Sequence, residues 1–138
     1  MEKQAMIDSA KGIEGRWTGT VKQQLEDRDI EFSIDMELQS DGDLLTGTSI
    51  INLSGMSAEN RNRGYDQVHA LLVEGALNHN RFLFLTYENS DDTVLQFGNI
   101  ILEFTNPIGE RSSAMAGKFI GFGPNSKQLV SGEVVLIR

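Results

Sequence analysis

Residues Ile30 to Gln39 alternate apolar and polar side chains without a break over ten positions. A period of two means a strand with one buried and one wet face. Asp41-Gly42-Asp43 follows as a hairpin turn, and the pattern resumes from Leu44 to Asn52. The same reading gives eight segments, roughly 15–23, 30–39, 44–52, 66–77, 81–88, 93–105, 113–121 and 128–137. Turn-rich peptides separate most of them: Asn78-His79-Asn80, Glu88 to Asp92, Asn106 to Gly109 and Gly123 to Ser126. Many strands joined by short links predict an all-β fold, an eight-stranded antiparallel up-and-down β-barrel. Closure would leave no exposed edge. Only residues 3–12 read as helical, with Ala5, Met6, Ile7 and Ala10 packed over one barrel end. The 138 residues fit a single barrel domain, with a helical segment over 1–13 and strands over 14–138.

The alternation also predicts what faces inward. Strand two contributes Ile30, Phe32, Ile34, Met36 and Leu38, and strand one Trp17, Gly19, Val21 and Gln23. The inward phases of strands three to five carry Leu45 to Ile51 with Ser49 among them, Gln67 to Leu77 with His69 among them, and Leu83 to Tyr87. Those of strands six to eight carry Gln96 to Phe104, Met115 to Phe119, and Val130 to Leu136. The lumen is therefore mostly apolar, with Gln23, Ser49, His69, Tyr87 and Gln96 as its polar groups. An apolar residue, any residue, then Gly recurs at Gly47, Gly75, Gly117 and Gly132. Gly weakens a strand interior, so this repeat marks bends or places where space is short.

The first strand opens on Gly15-Arg16-Trp17-Thr18-Gly19-Thr20. This resembles the Gly-x-Trp pattern of the calycin superfamily, which includes lipocalins, fatty-acid-binding proteins and avidins. Asp41 to Thr48 is similar to the turn and third strand of the avidin/streptavidin group. Tyr87-Glu88-Asn89 falls where that group places a lumenal Trp followed by a turn. The resemblance implies a ligand-holding barrel, a Trp17 packed across one barrel end, and oligomers formed through the later strands. It does not extend to a biotin site. The chain has one Trp where the biotin binders have several, and Val134 where they carry a lumenal Asp.

Charge changes the picture next. The 20 acidic and 12 basic residues give a formal net charge of −8. Glu26 to Asp43 holds eight acids and one base, so this stretch carries −7. Such a balance disfavours nucleic-acid binding, and the stretch reads as a solvated face or as a dock for a basic partner. No apolar run is long enough for a membrane helix, and the first 15 residues lack a signal-peptide core, so the expected location is cytoplasmic. Strands one to three are expected to face water. Phe82, Phe84, Leu95, Phe97, Ile101, Ile120, Phe122, Leu129, Val135 and Ile137 fall on the outer phase of strands five to eight. An apolar surface of that extent predicts self-association, chiefly through Phe82, Phe84, Phe97, Ile101, Ile120 and Val135.

Catalytic chemistry has little support. There is no Cys, no His spacing for a metal, and no nucleophile elbow, P-loop or dinucleotide fingerprint. His79 reads as an exposed turn residue. No cofactor, metal ligand or catalytic residue is assigned. The link Leu53 to Tyr65 carries Arg61 and Arg63, which would meet an anionic ligand group if this loop gates the barrel mouth. The leading expectation is a non-enzymatic module binding a small, largely apolar ligand through Gln23, Ser49, His69, Tyr87, Gln96, Arg61 and Arg63. A barrel filled by its own side chains and acting through its surface is the alternative. An enzyme using His69 or Tyr87 is the third.

Overall fold

The computed structural model describes residues 3–26, 28–53, 68–79, 81–105, 113–124 and 126–138. Helix α1 covers Lys3–Gly12. The strands are β1 (Gly15–Gln24), β2 (Asp29–Asp41), β3 (Leu44–Asn52), β4 (Val68–Asn78), β5 (Phe82–Asn89), β6 (Phe97–Phe104), β7 (Ala114–Gly123) and β8 (Gln128–Ile137). Each pairs antiparallel with the next, and β8 returns to β1, closing an up-and-down barrel. The inner phase of every strand is the expected one. Ile30, Phe32, Ile34, Met36 and Leu38 are all buried, as are Leu83, Leu85, Ile100, Leu102, Val134 and Leu136.

Local chemistry explains the strand ends. Asp41 pairs with Leu44 across a two-residue loop, and Gly42 supplies the positive φ of 63° that this tight turn needs. Strand β6 begins at Phe97, four residues later than expected. The Asn89 Oδ1 accepts from the Asp91 amide at 2.8 Å, and Asp91 Oδ1 accepts from the Thr93 amide at 3.0 Å. These side chains capture backbone donors that a ladder would have used. In the Gly repeat, a Cβ at Gly47, Gly75, Gly117 or Gly132 would fall closer than 3.0 Å to a carbonyl oxygen of the adjacent strand. That oxygen belongs to Glu37, Phe84, Ile101 and Lys22 in turn, always the residue before the Gly's own ladder partner. Side-chain-free positions let the strands coil tightly enough to close.

One barrel end is sealed. Trp17 is fully buried there, donates from Nε1 to the Ile13 carbonyl at 3.0 Å, and meets Phe104 edge-on. The Arg138 guanidinium stacks 4.5 Å from the Trp17 ring and donates to the Gly12 and Glu14 carbonyls at 2.6 and 2.8 Å. The helix seal lies further along than expected. Ser9, Ala10 and Ile13 are buried, Met6 and Ile7 are half-buried, and Ala5 is exposed. The chain must enter β1 at Gly15, so only the last helical turn reaches over the barrel end.

The outer face also departs in detail. Phe84, Phe97, Ile101, Ile120, Leu129 and Val135 are exposed as expected. Phe82 and Phe122 are only half exposed, because Phe82 stacks on Phe84 and Phe122 on Phe97. Exposed apolar side chains also extend to Leu44 and Ile50 on β3 and to Val68 and Leu72 on β4. The first three strands are therefore not uniformly polar on the outside.

Candidate functional site

Among the described residues, the lumen is filled at the sealed end and open at the other. Trp17, Met36, Leu38, Leu45, Leu83, Leu102, Met115 and Leu136 occupy the sealed half, each at most 1% exposed. Toward the other end, where β1–β2, β3–β4, β5–β6 and β7–β8 are linked, a cavity remains. It offers about 80 Å³ to the centres of water-sized molecules, or about 750 Å³ of empty space when its open mouth is included. The smaller figure describes the enclosed room. It exceeds the ~10–15 Å³ that one water needs, so the cavity has room for more than one water.

The walls follow from the strand phases. Val21, Ile30, Phe32, Ile34 and Ile51 supply an apolar side from β1, β2 and β3, and Leu71, Ile100, Phe119, Val130 and Val134 continue it. Leu25, Leu53, Phe122, Gly123, Pro124 and Ser126 form the rim. Val134, where the resemblance points to a lumenal Asp in biotin binders, is a buried apolar part of this wall.

Four of the expected site residues, Gln23, His69, Tyr87 and Gln96, line the cavity together. Ser49 points inward and is 1% exposed, but it lies outside the lining, and its hydroxyl has no hydrogen-bond partner among the described residues. Arg61 and Arg63 lie outside the described residues, as does all of the proposed gate beyond Leu53. His79 is exposed in its turn with φ of 53°. Among the described residues, no group of three His, Cys, Asp or Glu could hold a metal ion.

Tyr87 and Gln96 have the most defined settings. Tyr87 pairs with Gly98, which pairs with Gly121. A Cβ on either Gly would fall within 3.0 Å of the Tyr87 hydroxyl, so the two glycines make the bed on which the phenol lies across β6 and β7. Burial pushes the Tyr87 phenol up to about 12, so it stays a neutral donor through the physiological range. Gln96 is buried and accepts from Asn89 Nδ2 at 2.8 Å through Oε1. Among the described lining residues there is no carboxylate, Lys or Arg.

The sequence had pointed to the inward polar groups but not to the rim. Phe122 sits on the outer phase yet reaches the mouth from the second-to-last pair of the β7–β8 ladder. The only hint in the sequence was the Gly-Pro-Asn-Ser turn itself. Fold and cavity together define the class: a closed eight-stranded antiparallel barrel with a one-ended lumenal pocket. No protein-family model matches the chain, and no curated protein matches it either.

Proposed function

We propose that the protein is a non-enzymatic, calycin-like binding module that takes a small, largely apolar ligand into the open half of its barrel. The carrying observation is a preformed cavity whose walls are apolar and whose few polar groups, Gln23, His69, Tyr87 and Gln96, are gathered on the same lumen. Apolar walls with sparse polar anchors are the usual make-up of a small-molecule site. The Gly15-x-Trp17 opening, with Trp17 packed across the sealed end, supports the calycin-like reading. The test is titration with the neutral fluorescent probe N-phenyl-1-naphthylamine. Saturable binding at one site is expected, with at least a tenfold loss in Val130→Phe, which puts an aromatic ring into the cavity. A wild-type protein that does not bind the probe, or a Val130→Phe variant that binds it equally well, refutes the proposal.

The reading includes self-association through the outer face of β5 to β8. Exposed Phe97, Ile101 and Ile120, each about half accessible at 48%, 50% and 55%, support it. Sedimentation at micromolar concentration should find an oligomer that Phe97→Lys with Ile120→Lys dissociates. A wild-type monomer overturns this part.

A further inference from the structure

The polar corner of the cavity has a defined hydrogen-bonding polarity. It starts in the turn after β5. The Asp91 backbone N–H donates to Asn89 Oδ1 at 2.8 Å, which fixes the Asn89 amide with its Nδ2 facing β6. That Nδ2 donates to Gln96 Oε1 at 2.8 Å. One lone pair of the Gln96 amide oxygen is thus engaged, and both hydrogens on Gln96 Nε2 are left over. Among the described residues nothing accepts them. Gln96 is 8% exposed and lines the cavity, so these donors have the lumen as their outlet.

A second donor stands beside them. Tyr87 lies two residues before Asn89 on the same inner wall, and its ladder partner Gly98 lies two residues after Gln96. Two residues along a strand are roughly 7 Å. The phenol is bedded on Gly98 and Gly121, and its hydroxyl has no partner among the described residues. On the wall built from Val21, Ile30, Phe32 and Ile34 the polar group is the uncharged Gln23, the ladder partner of Ile30. A charged ligand group would be stripped of water here with no counter-charge among the described lining residues, which is costly.

We propose that the ligand carries an uncharged acceptor, a carbonyl oxygen of a ketone, ester or amide between apolar groups, and that Gln96 Nε2 and the Tyr87 hydroxyl donate to it. This rests on the reading of the lumen as a ligand site and names the chemistry of its ligand. A carbonyl supplies the two lone pairs that two donors call for. An alkyl chain of ordinary size covers the apolar wall.

The experiment is displacement of N-phenyl-1-naphthylamine by four probes with the same chain: octan-2-one, octane, octanoate and octylammonium. Octan-2-one should bind about three- to tenfold more tightly than octane, the range of one net hydrogen bond. Both ions should bind more weakly than the ketone. Tyr87→Phe keeps the ring over its two glycines and should cut the ketone's advantage while leaving octane unchanged. Gln96→Glu keeps an acceptor for Asn89 Nδ2 but removes the lumenal donor. It should abolish the ketone's advantage and improve octylammonium. Thermal melting checks that both variants fold, and Tyr87→Phe alone decides if Gln96→Glu does not. A ketone no better than octane, octanoate as the tightest probe, or an advantage that survives Tyr87→Phe overturns the inference while the lumen still binds. Failure of all four probes and of the fluorophore removes the ligand-site reading, and this inference with it.

Discussion

Gly75→Ala tests the account of barrel closure most sharply. Gly75 faces the lumen between Leu45 of β3 and Leu85 of β5. An added Cβ would meet the Phe84 carbonyl oxygen, carbonyl carbon and Leu85 Cα, all closer than 3.0 Å, where ordinary contact begins at 3.4 Å. All three obstacles are backbone, so no side chain can swing away. Relief requires β4 and β5 to separate locally, and that weakens the ladder on both sides of the Gly75–Leu85 pair. Overpacking by one methyl costs about 1–3 kcal/mol when side chains can shift. A backbone obstacle puts this substitution at about 3 kcal/mol or above. For 138 residues the unfolding entropy near the midpoint is roughly 0.3 kcal/mol per degree, so Tm should fall by about 10 °C. Circular dichroism melting reads this directly. Gly12→Ala is the control: its Cβ meets nothing within 4 Å and it ends a helix, so Tm should hold or rise slightly. A Gly75→Ala protein melting within about 2 °C of the parent would refute the claim that the Gly repeat permits strand coiling.

Ser49→Ala removes a buried hydroxyl that has no partner among the described residues, so stability should be unchanged or higher by up to about 1 kcal/mol; a chemical-denaturation loss above that would show the hydroxyl is satisfied. The Tyr87 phenol is raised above its unfolded value near 10, so folding favours its protonated form. Stability from this group is complete below pH 10 and is lost as pH climbs toward 12, by on the order of 2 kcal/mol. Ultraviolet titration of phenolate, with Tyr87→Phe subtracted, should find one late-titrating Tyr, and a Tyr87 titrating near 10 contradicts its buried setting. Arg138→Ala removes the Trp17 stack and two hydrogen bonds and should cost about 1 kcal/mol, with Arg138→Lys recovering only part, because an ammonium lacks the flat face. Equal melting of all three proteins would refute the clasp.

The fold was readable because each strand carries its phase in its own residues. Ile30 to Leu38 can bury only one face, and once that face is chosen the barrel's interior follows. The helix seal and the start of β6 were less readable. Both depend on where the chain must turn next, at Gly15 and at the Asn89–Thr93 side-chain bonds, and no local apolar pattern records that. Whether the lumen was filled or hollow could not be read from the inward set. Large side chains occur at both ends, and their level along the barrel decides the outcome: Trp17, Met36 and Met115 crowd the sealed half. The polar cavity residues were found because Gln23, His69, Tyr87 and Gln96 break an otherwise apolar phase. The orientation of the Gln96 amide was not readable, because it is set by Asp91 through Asn89.

Trp17 is the chain's one Trp, and it sits at the end opposite the cavity. Val21, the nearest lining residue on the same strand, is roughly 13 Å further along. The intrinsic fluorophore is therefore an internal reference instead of a ligand sensor. Its emission reports the seal made by Ile13, Phe104 and Arg138, and should stay constant while the open end fills. A ligand that does not absorb at the wavelengths of Trp emission and still alters it has changed the barrel along its full length, so with such ligands one emission spectrum distinguishes occupancy from deformation.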